Sequence, residues 1–427
     1  MILIYRIITT IIFPVLMAII FIRKLLNKED SERYKEKIFS SKFNVVKKKN
    51  SKLIWFHAAS IGEIKSVIPI IKELRKNNER LEFLLTTVTL SSGNLIKNEI
   101  KDYDNIYHRY FPIDVEFLIK KFIISWKPSA IFLVDSEIWP NLIFQAKRLK
   151  IPLAIINARL TKRSFERWMM VPKSAKLIFS KFDLCLASNN ETKSYLSQLE
   201  AKNINYFGNI KLINNFENIS CKDENINFLK EKKFWFAAST HKNEEKFCLD
   251  VHLELKKSFK QIFTIIAPRH IQRVNEIKKL CDNFNLNSQV LKKGEKIEDN
   301  KEIIIINSFG ILPTYFKFAK SVLMGKSIFK NYGKIGGQNP IEAARLGCKI
   351  YHGPFVKNFE EIYKALEENK IAKKIINKSE LVEYLIQDLD NEEKEIEKYS
   401  SIMNNLSNKI LSNTMKEIDK LLKNAPI

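Results

Sequence analysis

LIWFHAASIGEIKSVIPIIKELRK (Leu53–Lys76) opens on a continuous apolar run and then changes period. Leu53–Ala58 reads as a strand buried on both faces, and from Glu63 to Lys76 apolar residues recur at helical spacing. A strand covered on both faces, joined by a small-residue turn to a helix, is the repeating unit of a parallel sheet with helices on both sides. Outward from it the alternation recurs in FLLTTV (Phe83–Val88), AIFLVD (Ala130–Asp135), PLAIIN (Pro152–Asn157) and LCLAS (Leu184–Ser188). It restarts in FWFAAS (Phe234–Ser239), FTIIAP (Phe263–Pro268), IIIIN (Ile303–Asn307) and SVLMG (Ser321–Gly325). Between the two series, Asn214–Asn227 is polar and reads as a linker. The expected fold class is α/β, with two doubly wound domains facing a cleft. Residues 1–28 are expected to form an N-terminal anchor, 29–215 the first domain and 216–427 the second, the last helix being free to pack back on the first. Ligands of such sheets sit beyond the carboxyl ends of the strands, so the chemistry belongs in those loops.

The 427 residues are 45% hydrophobic and 28% charged, which excludes a disordered chain, a collagen-like repeat and a polytopic membrane protein. Lys and Arg number 72 against 48 Asp and Glu, a net charge of +24 that suits an anionic partner such as nucleic acid, acidic lipid or a phosphorylated substrate. A chain rich in Ile, Lys and Asn throughout carries the same excess, so charge alone does not choose. Cys185, Cys221, Cys248, Cys281 and Cys348 are scattered and form no C-x-x-C pair, as plain thiols of a reducing compartment do. Ile7–Ile22 is uncharged, and Met1–Tyr5 extends it to spanning length if Arg6 snorkels. Arg23, Lys24 and Lys28 follow directly and there is no small-x-small cleavage site. The segment reads as an uncleaved membrane anchor with the body cytoplasmic, ahead of a signal peptide or a core helix.

HAASIGE (His57–Glu63) places Glu63 in the first helical turn, either as a capping carboxylate or as a general base, with Gly62 permitting close approach. VDSEIWPN (Val134–Asn141) puts Asp135 and Glu137 at the end of a strand. GNIK (Gly208–Lys211) offers Lys211 to a phosphate or carboxylate, or to solvent. AASTHKNEE (Ala237–Glu245) has the strand–turn–helix form whose free N–H groups bind phosphate, and APRH (Ala267–His270) adds Arg269. GGQNPIEAARLG (Gly336–Gly347) is the strongest local signal, with Pro340 suited to a helix start and Glu342 one turn in, placed to accept from ribose hydroxyls. Other patterns fail: Gly325-Lys326-Ser327 lacks the earlier glycine of a phosphate loop, and there is no G-x-G-x-x-G or H-E-x-x-H. Lys162–Lys181 mixes basic residues with Phe165, Trp168, Met169, Met170 and Phe179, either a core-facing helix or, favoured here, a patch on anionic headgroups with its aromatics in the interface.

Taken in order, the anchor, HAASIGE, DSEIWPN, INARL (Ile156–Leu160), GNIK, STHKNEE, PRH and GGQNPIEAA resemble the 3-deoxy-D-manno-octulosonic acid (Kdo) transferases of lipopolysaccharide synthesis. The resemblance implies a GT-B glycosyltransferase on the cytoplasmic side of the inner membrane. It would use CMP-Kdo as donor and a lipid A precursor, lipid IV(A), as acceptor. It further implies Glu63 as proton acceptor, Asp135 and Lys211 as transition-state stabilisers, and single displacement with inversion. CMP contacts would fall on Pro268 and Arg269, on Phe309, Gly310 and Ile311, and on Asn339, Pro340, Ile341 and Glu342. No cofactor or metal is expected, since CMP leaves with its charge already stabilised; anionic lipids are expected partners and nucleic acid is not.

The chain departs from the family at Asp135, where Glu is common, at Gln338, where His is common, and at Ile311, where Glu is common. It also carries an insertion, SIFKNYGKI (Ser327–Ile335). Two other readings stand beside the resemblance: a membrane-associated GT-B transferase using another nucleotide sugar, such as a UDP-sugar, and a non-catalytic basic lipid-binding protein. The acidic motifs argue against the last.

Overall fold

The computed structural model describes residues 2–39, 42–43, 51–213, 224–332, 336–391 and 394–423. Cys221, most of the expected linker and the end of the 327–335 insertion lie outside the described residues. The chain divides into two compact units, Met1–Asn214 with Leu406–Ile427, and Asn215–Asn405.

In the first unit seven strands form one sheet: β1 (Lys52–His57), β2 (Leu81–Thr87), β3 (Ile106–Tyr110), β4 (Ala130–Val134), β5 (Leu153–Ala158), β6 (Leu184–Ala187) and β7 (Ile204–Tyr206). Their order is β3-β2-β1-β4-β5-β6-β7, every neighbouring pair parallel. The order reverses between β1 and β4, which opens a crevice at their carboxyl ends. Trp55, Leu84, Ile131 and Leu133 of the sheet pack with Phe122, Trp126 and Leu142 of the covering helices, all buried. Each such side chain contributes roughly 1.5–3 kcal/mol by leaving water. That core fixes where the loop ends stand.

The second unit repeats the plan with β8 (Phe234–Thr240), β9 (Phe263–Pro268), β10 (Ser288–Leu291), β11 (Ile303–Ile306), β12 (Ser321–Met324), β13 (Lys349–His352) and β14 (Ala372–Lys374). The order is β10-β11-β9-β8-β12-β13-β14, again all parallel, reversing between β8 and β12. Trp235, Ile266, Ile303, Ile305 and Leu323 supply the sheet's share of a second core.

Helix α1 (Ile2–Leu25) contains the uncharged run Ile7–Ile22 and lies within residues 1–28, the bounds expected for the anchor. Arg6 does not snorkel: its guanidinium pairs with Glu116 at 3.4 Å and lies over the Phe144 ring. A nearby carboxylate outcompetes a distant headgroup. Lys162–Lys181 is two helices, Lys162–Met169 and Pro172–Phe179, broken where Pro172 starts the second. Its aromatics pack toward the core, Phe165 and Trp168 being half-buried there. Phe179 is buried, Trp168 meets it edge-on, and Phe165 stacks on Tyr195. Met169, Met170 and Leu177 stay exposed. The helix Ile396–Lys423 passes from the second unit to the first after Asn405. Within the first unit Ser407 Oγ donates to Leu212 O, and Ile410 lies where a side chain on Gly208 would stand. Cys185, Cys248, Cys281 and Cys348 are buried free thiols.

Candidate active site

β1 and β4 are neighbours, so the turn after β1 and the DSEIWPN segment after β4 share one sheet edge. Helix α2 (Ile61–Asn77) begins after Ser60, whose side chain accepts from Glu63 N. Glu63 answers reciprocally: Ser60 Oγ donates to its Oε1 at 2.6 Å and Ala59 N to its Oε2 at 2.8 Å. This is a capping box displaced by one residue. It uses two of roughly four acceptor positions on the carboxylate and leaves the others for a donor. Glu63 is half-buried, and that burial, with Asp135 and Glu137 nearby, lifts its carboxyl above the ordinary carboxylate range despite the two hydrogen bonds. A Cβ on Gly62 would meet nothing within 4 Å, so this glycine faces open space and makes no close backbone packing.

Asp135 is buried, with a left-handed φ of 62°. Lys211 Nζ approaches its Oδ2 at 2.9 Å, and Ser136 Oγ donates to its Oδ1 at 3.1 Å. Glu137 accepts from His57 Nε2 at 3.1 Å and from Trp139 Nε1 at 2.8 Å. His57 is itself fixed by Thr86 Oγ1 at 3.0 Å and by stacking on Phe111. The structure thus gathers Glu63, Asp135, Glu137 and Lys211. It also adds two groups whose roles the motif reading left open. His57 holds Glu137, and Asn157 accepts from Ile210 N at 3.1 Å, seating the residue before Lys211. Asn157 does so from a break in the β5–β6 register, with φ of 52°. Left-handed non-glycine residues and bulges concentrate at functional edges.

In the second unit, Ser239 repeats the device: φ is 57° and the β8–β9 register slips between Ala238 and Thr240. Arg269 follows β9 with its side chain exposed and its N–H donating to Thr240 O, behind a buried Pro268. Phe309 is 68% exposed, Gly310 has φ of 80°, and Ile311 precedes the helix Leu312–Phe318. Asn339 Oδ1 accepts from Ile341 N. Pro340 and Ile341 are buried, and Glu342 is half-buried in the first turn of Ile341–Arg345. All these loops lie at the carboxyl edge of one sheet.

Of the N–H groups after β8, that of His241 is taken up within the unit. His241 N donates to Glu244 at 2.9 Å, and Lys326, Ser327 and Ile328 N–H groups converge on the same carboxylate. The turn at Gly325-Lys326-Ser327 is an anion cradle after all, filled from within by a buried glutamate. Arg273 is likewise committed, to Glu245 and Glu276. Arg269, by contrast, presents an exposed guanidinium. Burial first, then Lys326, His270, Arg269 and Arg273, push His241 down to about 4, so its ring is neutral at pH 7. Gln338 then donates from its carboxamide to His241 Nε2 at 3.1 Å.

Solved structures share this fold over most of the chain. A glycosyltransferase from Rickettsia africae ESF-5 superposes with a TM-score of 0.59 at 13% identity, covering 88% of this chain and 100% of its own. UDP-GlcNAc 2-epimerase from Neisseria meningitidis gives 0.58 at 16% identity, over 87% and 99%. The two parallel, doubly wound sheets are those of the GT-B fold. A family model for 3-deoxy-D-manno-octulosonic-acid transferase matches residues 32–214. A probable mitochondrial 3-deoxy-D-manno-octulosonic acid transferase of Arabidopsis thaliana is 33% identical over 74% of this chain and 72% of its own. The 3-deoxy-D-manno-octulosonic acid transferases of Rickettsia bellii and Haemophilus influenzae are 29% and 27% identical, over 92% and 79% of the chain and 93% and 79% of their own lengths. The chain belongs to the Kdo transferase family, and its activity is Kdo transfer.

Proposed function

We propose that the chain moves Kdo from CMP-Kdo to a hydroxyl of the lipid A precursor lipid IV(A), by a single inverting displacement on the cytoplasmic face of the inner membrane, to whose anionic lipids its basic surface adheres. The observation that carries this reading is the half-buried Glu63 between Asp135 and Glu137 at the switch point of the first sheet. A carboxylate whose basicity is raised this way is suited to accept a hydroxyl proton near neutral pH. As Glu63 Oε takes that proton, the acceptor oxygen bonds to the anomeric carbon, and the bond from that carbon to the CMP phosphate oxygen breaks with its electron pair. Arg269 meets the phosphate, Phe309 offers a face to the base, and Asn339 and Glu342 address the ribose. Pro268, Gly310, Ile311, Pro340 and Ile341 shape the loops that present them. Lys211, held by Asp135, contributes positive charge against the negative charge of the donor's anionic groups, the electrostatic contribution that usually dominates such sites.

Glu63→Gln keeps both capping hydrogen bonds within reach and removes the base. It is expected to lower turnover by roughly 10²–10⁴-fold with CMP affinity unchanged. Mass-resolved products from CMP-Kdo and lipid IV(A), with CMP binding by calorimetry, read both. Unchanged turnover refutes the base, and competition by UDP in place of CMP reassigns the donor.

A further inference from the structure

Every three or four residues along α1 one side chain is half-buried against the unit: Tyr5, Thr9, Phe13, Leu16 and Lys24, with Ile20 fully buried, form a single stripe from the first turn to the last. The opposite face is apolar and exposed, at Ile4, Ile8, Ile11, Val15, Ile19 and Ile22. Covering runs the length of the helix, which for 24 residues is about 36 Å. Both ends are tied to the first unit. Near the start, Tyr5 Oη donates to Asp114 at 2.9 Å, Arg6 pairs with Glu116, and Asn141 Nδ2 donates to Thr9 Oγ1 at 3.3 Å. Asp114 is also the acceptor for Asn141 N and Leu142 N at the helix that follows DSEIWPN. At the far end, Arg23 pairs with Glu29 at 2.7 Å, and Glu29 pairs in turn with Lys37, whose amine donates to Val88 O just past β2.

A helix that crossed a bilayer would carry its first turn to the far surface, about 30 Å from the folded body. Tyr5 and Arg6 bond that body directly. We infer that α1 lies in the plane of a single leaflet, its half-buried stripe against its own unit and its outer face among the acyl chains, with both ends of the helix on the cytoplasmic side. The occupant of the exposed face is lipid: the face presents no charge between Arg6 and Arg23, Lys28 stands exposed just beyond its end, and the chain's net charge of +24 favours anionic headgroups. The inference rests on reading α1 as the membrane anchor and replaces a spanning anchor with an embedded one.

Full-length protein with one protease-cleavable epitope tag before Met1 and another after Ile427 tests it in sealed inverted and right-side-out inner-membrane vesicles from the expressing host. Both tags are expected to be cut in inverted vesicles and protected in right-side-out ones. A first tag cut only in right-side-out vesicles means a spanning helix and overturns the inference. Recovery in the soluble fraction, as a monomer or as a dimer closing its apolar faces together, overturns it too. Transfer from CMP-Kdo, assayed after detergent addition, shows separately whether the transferase reading fails. Ile8→Asp with Ile11→Asp should lower the membrane-bound fraction on the order of tenfold while CMP binding persists; unchanged partition also overturns the inference.

Discussion

Glu63 caps its own helix and keeps acceptor capacity to spare, and those two duties are compatible because each uses a different part of the carboxylate. Asp135 is the opposite case. Buried, in a left-handed backbone, it has Lys211 as its countercharge. Lys211→Met strands that carboxylate and is expected to cost about 1–3 kcal/mol in urea unfolding, more than most surface changes. Adding Asp135→Asn should recover most of the loss, whereas additive penalties would show that the pair is not coupled. Gln338 donates to His241 Nε2. Because the ring of His241 is neutral at pH 7, a carboxamide donor serves it well. The residues themselves were legible in the sequence as motifs; their mutual distances were not.

Elements built on a continuous apolar run were legible from their pattern alone: β1, β2, β4, β5, β6, β8, β9, β11 and β12 all overlap the runs read as strands. The missed strands are β3, β7, β10 and β14, which edge the two sheets, together with β13 beside β14. An edge strand is covered on fewer sides, so IYHRY of β3 alternates in burial and INY of β7 is only half-buried, and neither carries a continuous apolar run. The bulges at Asn157 and Ser239 were hidden for another reason: serine gives no sign of a positive φ, and asparagine, though it favours that region, is too abundant in this chain to mark one position. The glycine pair before Asn339 shows the converse. A side chain on Gly336 would fall on the carbonyl oxygen of Phe355, and Gly337, with φ of 89°, donates from its N–H to Lys326 O at 2.6 Å. Gly336→Ala is therefore expected to destabilise the protein by more than about 1 kcal/mol and to weaken CMP binding by displacing Asn339 and Glu342. A thermal melt and a CMP titration check both, and an unchanged titration would separate the glycines from the nucleotide site.

For the molecule as a whole, the chain's return to its first unit after Asn405 has a local consequence. Ser407 and Ile410 brace the segment Gly208–Leu212 that carries Lys211. Removing residues 406–427 is expected to abolish transfer while leaving the second unit's CMP affinity within a few-fold, whereas loss of both would mean that the second unit needs the segment to fold. Two sheets of one plan, each with its switch point at the carboxyl edge, divide the labour between proton acceptance and nucleotide binding in the proposed reaction. That division turns on Glu63 being an ionised base with raised basicity. The acid side of the kcat/KM profile against pH, measured for the unaltered enzyme and for Glu137→Gln, tests it most directly. A base must be unprotonated, so activity should fall as pH drops through a midpoint above the ordinary carboxylate range. Neutralising Glu137 removes one of the charges that raise Glu63 and should move that midpoint to lower pH. A midpoint that stays where it was, or one at the ordinary carboxylate value in both enzymes, would contradict the account.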